Sequence, residues 1–102
     1  MALPARNHRI TLAEAAAHTK RHRDAKASEI NSHAFHKDQV MELLNQKGCV
    51  GLRIYHGRDE KGKPSVVLAG MDQADNDLHA GVLLEVAFPC PPLCPAPNPL
   101  TA

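Results

Sequence analysis

Two runs of β-type sequence on either side of one breaker-rich loop constrain this chain more than any other feature. From Cys49 the apolar residues fall at every second position, Val50, Leu52 and Ile54 alternating with Gly51, Arg53 and Tyr55, which is the period of a strand with two unlike faces. The next segment, His56-Gly57-Arg58-Asp59-Glu60-Lys61-Gly62-Lys63-Pro64, is charged, contains two glycines and ends in a proline, and it leads into a second β-branched run from Ser65 to Met71. Strand, breaker and strand predict a hairpin. Within the second run Val66-Val67-Leu68-Ala69 is apolar on both faces, as suits the central strand of a small sheet. Beyond the polar loop Asp72-Gln73-Ala74-Asp75-Asn76-Asp77, a third run from Val82 to Phe88 alternates again. Three such strands in succession predict an antiparallel meander.

Upstream, the pattern is helical. Thr11 with Glu14 three residues later has the form of a capping box, and the alanine-rich stretch behind it lacks Gly and Pro, so a helix is predicted over 12–26. Its apolar stripe, Leu12, Ala15, Ala16 and Thr19, is narrow. A second helix is predicted to begin after Ser32 or Ala34 and to end at Gly48, burying Phe35, Val40, Met41 and Leu44. Asp38 precedes Glu42 by four residues and gives no ion-pair support, so burial must hold this helix. The expected fold is α+β, with two N-terminal helices packed on a three-stranded antiparallel meander. Residues 1–10 read as a flexible N-terminus, 11–88 as a single domain and 89–102 as a proline-rich tail or strap. Six of the eleven residues from Pro89 to Pro99 are proline, which is expected neither to continue a ladder nor to form a helix.

The run Cys49-Val50-Gly51-Leu52-Arg53-Ile54-Tyr55, then Gly57, Asp59-Glu60, Gly62-Lys63, Val66 to Gly70, Asp72 and Asn76-Asp77, closed by Pro89-Cys90-Pro91-Pro92-Leu93-Cys94, resembles a set of small bacterial proteins of similar length to which no activity is assigned. The likeness spans most of residues 11–100. It implies that the hairpin and the Cys-Pro-Pro-x-Cys ending form one unit, and it implies no activity, cofactor or catalytic residue.

Composition removes several function classes. The 102 residues carry 12 Lys+Arg against 11 Asp+Glu, and a net charge of +1 gives no field that would draw nucleic acid or an acidic membrane. The basic patch Lys20, Arg21, His22, Arg23 and Lys26 has no interleaved aromatic and reads as a solvated helix face. No stretch approaches the roughly 20 apolar residues of a membrane helix, and the first residues lack an apolar export segment, so a cytoplasmic setting is expected. In such a setting three cysteines, an odd number, are expected as thiols or metal ligands rather than a disulfide framework. Only Phe35, Tyr55 and Phe88 are aromatic, so the core must be aliphatic and thin.

The sharpest chemical feature is Cys90-Pro91-Pro92-Leu93-Cys94. Two thiolates on a proline-stiffened loop, with His33 completing the set, would form a zinc site, although no second cysteine pair is present. A disulfide or thiol switch between Cys90 and Cys94 is the alternative chemistry, and plain packing, with both cysteines as small apolar residues anchoring the tail, ranks ahead of either. Pro89-Cys90 opens like a zinc-deaminase motif, but the second cysteine comes one residue late and His-x-Glu is missing. The Asp72 to Asp77 loop fails the calcium-loop pattern because Ala80 stands where Gly is needed. No Ser or Cys sits in a recognisable nucleophile frame, and no enzymatic activity is expected.

The remaining inference is geometric. If helices cover the sheet face bearing Val50, Leu52 and Ile54, the other face carries Tyr55, Val67, Ala69, Met71, Leu83 and Ala87, too apolar to stand in water. The tail or a second chain must cover it, and a homo-oligomer is expected.

Overall fold

The computed structural model describes residues 3–25 and 29–101. The chain is α+β, in the order α1 (Leu12–Ala25), β1 (Ser32–Ala34), α2 (Lys37–Leu44), β2 (Gly51–Arg58), β3 (Pro64–Met71), β4 (Leu83–Leu84) and β5 (Phe88–Cys90). Strands β2, β3 and β4 form an antiparallel three-stranded sheet, and β1 and β5 form a separate antiparallel pair. Lys26, the expected end of the first helix, lies outside the described residues.

The hairpin runs in unbroken register from Gly51↔Met71 to Arg58↔Pro64. Its strands extend three residues beyond Tyr55 because Asp59 organises the tip. Asp59 N donates to Lys63 O at 2.9 Å, and Asp59 Oδ1 accepts from Lys61 N and Lys63 N. Gly62 supplies the left-handed residue that closes the turn, at φ +80.

The third strand is shorter than the alternation predicts. Only Leu83 and Leu84 pair with β3, opposite Ala69 and Leu68. At Glu85 the chain leaves the sheet through a tight turn in which Ala87 N donates to Glu85 O. Phe88 to Cys90 then pair with Ala34 to Ser32, extended by Asn31 N donating to Cys90 O at 2.7 Å. A proline inside this ladder is tolerated because a two-stranded pair is all edge, and Pro89 need present no N–H to a neighbour.

The two helices differ in what they do. The capping box of α1 forms, with Thr11 Oγ1 accepting from Glu14 N and Glu14 Oε1 accepting from Thr11 N, each at 3.1 Å. Yet α1 buries none of its residues, since a stripe of alanine and threonine removes little apolar area from water. The expected packing of both helices on the meander therefore holds for α2 alone. That helix starts later than predicted, because β1 takes residues 32–34 and His36 Nδ1 caps it by accepting from Asp38 N at 3.1 Å. Its Leu43 is fully buried against β3 and β4, while Met41 and Leu44 stay exposed. Beyond it, Gln46 bridges two elements: Nε2 donates to Leu43 O and Oε1 accepts from Val82 N, both at 2.8 Å. Among the described residues the buried apolar set is Leu43, Leu68, Ala69, Met71 and Cys90.

Candidate functional site

The hairpin tip and the β1–β5 pair enclose a groove of about 990 Å³ whose far wall is Glu85 to Ala87 with Pro89, Pro91 and Pro92. A second cleft of about 520 Å³ is reached by His22, His56 and Val66. His33, whose Nε2 donates to Pro64 O at 3.2 Å, is among the residues that line both spaces. The larger groove includes Ser65 and Val67, next to the part of β3 that β4 leaves unpaired. Its charges are mixed, and two are used within the hairpin: Asp59 holds the turn, and Arg58 Nη1 donates to Gly62 O at 2.9 Å. Nothing here converges into a nucleophile, base and oxyanion arrangement.

On the odd-numbered face of the sheet, Arg53 grips two carboxylates. Its Nη1 donates to Asp77 Oδ1 at 2.6 Å and its Nη2 to Asp75 Oδ1 at 2.7 Å, while Tyr55 OH donates to Asp77 Oδ2. Asp72 shapes the loop that delivers them by accepting from Ala74 N and Asn76 N. The Tyr55 hydroxyl foremost, and Arg53 after it, hold the Asp77 carboxyl below the usual carboxylate range. Hydrogen bonding to Tyr55, and then to Asp77, raises the Arg53 guanidinium pKa above its ordinary value. The loop carboxylates thus do more than make turns: they strap residues 72–77 across the sheet. The available signal was Arg53 itself, a cation alternating with apolar residues, which needs a partner.

The predicted apolar set divides on this face. Tyr55 is 44% and Leu83 51% exposed, Val67 and Ala87 are half-buried, and Ala69 and Met71 are each 2% exposed in the single chain. Ala69 and Met71 are thus already covered intramolecularly and offer no surface to a partner. Part of the cover is N-terminal: a Cβ built at Gly51 would come within 3.0 Å of Leu3 Cδ2. On the opposite face α2 covers β3 and β4 but not β2, so Ile54 is 55% and Val50 44% exposed, contrary to the expectation that helices would cover both.

The candidate zinc ligands are not brought together. Cys90 and Cys94 are joined as a disulfide, so neither sulfur is a thiolate donor. His33 pairs across the ladder with Pro89, one step from Cys90, and successive residues of a strand point to opposite faces. Among the described residues no three His, Cys, Asp or Glu side chains are grouped to hold a metal ion. Three further histidines serve separate contacts: His18 accepts from Arg21, His22 meets Ile30 O, and His36 caps α2. Cys49 is a free, half-buried thiol that donates to Gly51 O at 3.2 Å.

The outer side of β2 has a different character. Asp59 N to Lys63 O closes the hairpin, so odd-numbered residues of β2 aim their backbone groups at β3 and even-numbered ones aim away. Gly70 O, opposite Leu52, agrees with this parity, since it accepts from Leu78 N on the β4 side. Leu52, Ile54, His56 and Arg58 therefore turn their N–H and C=O groups to an edge that no other strand among the described residues pairs.

Among the described residues no helix is long and apolar enough to cross a membrane. Comparison of the chain with protein-family models, with curated proteins and with solved structures found no match.

Proposed function

We propose that this chain is a non-enzymatic assembly module that pairs with a second copy of itself along the open β2 edge. The carrying observation is that edge: eight residues long, without proline or a bulge, and flanked by exposed Val50, Ile54 and Tyr55. Proteins that stay monomeric normally blunt such an edge. A strand paired antiparallel with its own copy closes about a twofold axis and satisfies both edges at once. With the axis at Tyr55, Ile54 faces His56 of the second copy and Leu52 faces Arg58, so no like charges oppose each other. Arg53 with its two aspartates then meets Gly57, which has no side chain to collide with that cluster. Tyr55 adds exposed apolar surface at the seam. We take the setting to be cytoplasmic, with no membrane and no nucleic acid among the partners.

An interface built on one strand pair falls in the small, weak class below about 1,200 Å², so micromolar dissociation is expected. Sedimentation equilibrium from about 1 to 200 µM tests association itself. A monomer throughout that range overturns the assembly reading. The edge geometry is tested with Tyr55→Cys in a Cys49→Ser background. A non-hydrogen-bonded antiparallel pair places Cα atoms about 4.5 Å apart, within disulfide range, so oxidation should yield a covalent dimer. A dimer that refuses this cross-link rejects the β2 edge.

A further inference from the structure

We infer that Cys90–Cys94 is a thiol–disulfide exchange site, opened by a thiol reductant attacking Cys94, and that its state sets the position of the proline wall of the groove. The two cysteines are unequal. Cys90 is 8% exposed and its main chain is held by β1, through the Ser32↔Cys90 pairing and the bond from Asn31 N to Cys90 O at 2.7 Å. Cys94 is exposed and begins the irregular tail. Cys94 stands in solvent and Cys90 is buried, so a thiolate arriving from solvent meets Cys94 first.

The exchange balances as follows. A thiolate of a dithiol reductant bonds to Cys94 Sγ, the S–S bond breaks, and its electron pair leaves on Cys90 Sγ, which takes up a proton. The reductant's second thiolate then attacks the mixed disulfide at the reductant's own sulfur and releases Cys94 as a thiolate. Two electrons pass to the protein, which ends as two thiols, and the reductant ends as a disulfide. Oxidation by a disulfide of the same class runs the steps backward.

The consequence follows from what the bond tethers. Pro91 and Pro92 wall the larger groove and lie inside the ring that the disulfide closes. With the ring open, the link from Leu93 N to Pro89 O at 3.0 Å remains, a single surface hydrogen bond too weak to fix the loop. Further on, Leu100 O accepts from Arg23 Nη1 of α1 at 2.6 Å, so loosening the tail also loosens a helix that buries nothing. In a reducing compartment intramolecular disulfides are typically transient and regulatory, which fits a bond formed at an exposed cysteine beside a groove.

Limited reduction of the full chain tests this. Oxidised protein is treated briefly with reduced glutathione, the first-step adduct is trapped by acid quench and alkylation before a second glutathione or Cys90 resolves it, and the adducts are mapped by peptide mass spectrometry. Cys94 should carry the adduct roughly tenfold or more over Cys90, because accessibility selects the attacked sulfur. Separately, dithiothreitol should raise amide hydrogen exchange over 85–94 without changing exchange in β2 and β3, and Cys94→Ser should reproduce the reduced pattern without reductant. Equal adducts on both cysteines, or two free thiols in protein folded under a glutathione disulfide buffer, overturns the exchange site. Reduction that leaves exchange over 85–94 unchanged overturns the link to the groove.

Discussion

The parity of β2 makes one substitution unusually informative. His56→Pro removes an N–H that points to the open edge, while the neighbouring bonds to Val67 and Ser65 belong to Tyr55 and Gly57. The ladder within the hairpin should therefore survive, with a cost in stability from imposing the proline φ of well under 2 kcal/mol at an exposed edge. Association should suffer far more. In the twofold arrangement centred on Tyr55, His56 N donates to Ile54 O of the second copy, and symmetry doubles the loss. Two bonds at about 1 kcal/mol each, with two carbonyls left unpaired at the seam, weaken the dimer by about 2 kcal/mol or more, which is roughly thirtyfold in Kd. Tyr55→Pro is the control: it removes a bond to β3 and should lower folding stability instead. Sedimentation equilibrium and urea unfolding of both variants separate the two effects. If His56→Pro unfolds the chain as readily as Tyr55→Pro does, the inner and outer sides of β2 have been assigned the wrong way round. If it folds and associates like the parent, the edge is not the seam.

Two further outcomes follow from the packing and the charge cluster. Leu43→Ala empties the one large side chain among the described residues that is fully buried, and should cost about 2–5 kcal/mol by urea unfolding; a loss below about 1 kcal/mol would mean that α2 does not seal the sheet. Asp77 has its folded pKa lowered by Tyr55 and Arg53, so its contribution is complete at neutral pH and is lost as pH falls from the unperturbed value of about 3.9 through the lower folded value. Asp77→Asn should therefore be less stable than the parent near neutral pH, and the gap should narrow in acid as pH falls from the ordinary carboxylate range through the lowered folded value; a gap that does not change with pH would count against the Arg53–Tyr55 clamp.

The hairpin was legible because both its signals are local: period-two alternation from Val50 to Tyr55 and a loop whose Asp59 and Gly62 make the turn themselves. The capping box of α1 was legible for the same reason. What the pattern could not reveal was non-local. Phe88 alternates with Val86 and Leu84 as if in one strand, yet Glu85 to Ala87 turn the chain, and Phe88 joins Ser32 to Ala34, more than fifty residues away in sequence. Ser32 to Ala34 have no strand signature of their own, so the partner decides their conformation. Likewise Ala69 and Met71 looked like surface in want of a partner because Leu3 and the Asp75–Asp77 strap, which lie over the same face, declare nothing about their destination in sequence. Cys90 and His33 sit on adjacent strands but point to opposite faces, a fact of register that spacing cannot supply.

Size and burial together explain why such a chain would favour a second copy. A compact domain of this length has a radius of gyration of about 13 Å, and this chain has 15.2 Å. The excess fits parts that bury little: α1 contributes no buried residue, and the tail from Pro91 onward is almost wholly exposed. A core confined to Leu43, Leu68, Ala69, Met71 and Cys90 leaves such a domain at the low end of the usual 5–15 kcal/mol of stability, roughly. Pairing along β2 adds apolar burial at Ile54 and Tyr55 and satisfies the outward backbone groups, without asking the thin core to change. The disulfide acts beyond β5, which is three residues long and cannot by its own ladder hold the segment that follows it. In the proposed assembly, association and covalent closure would compensate for the same deficit, and because Cys90 and Cys94 are not among the seam residues, loss of one should leave the other measurable.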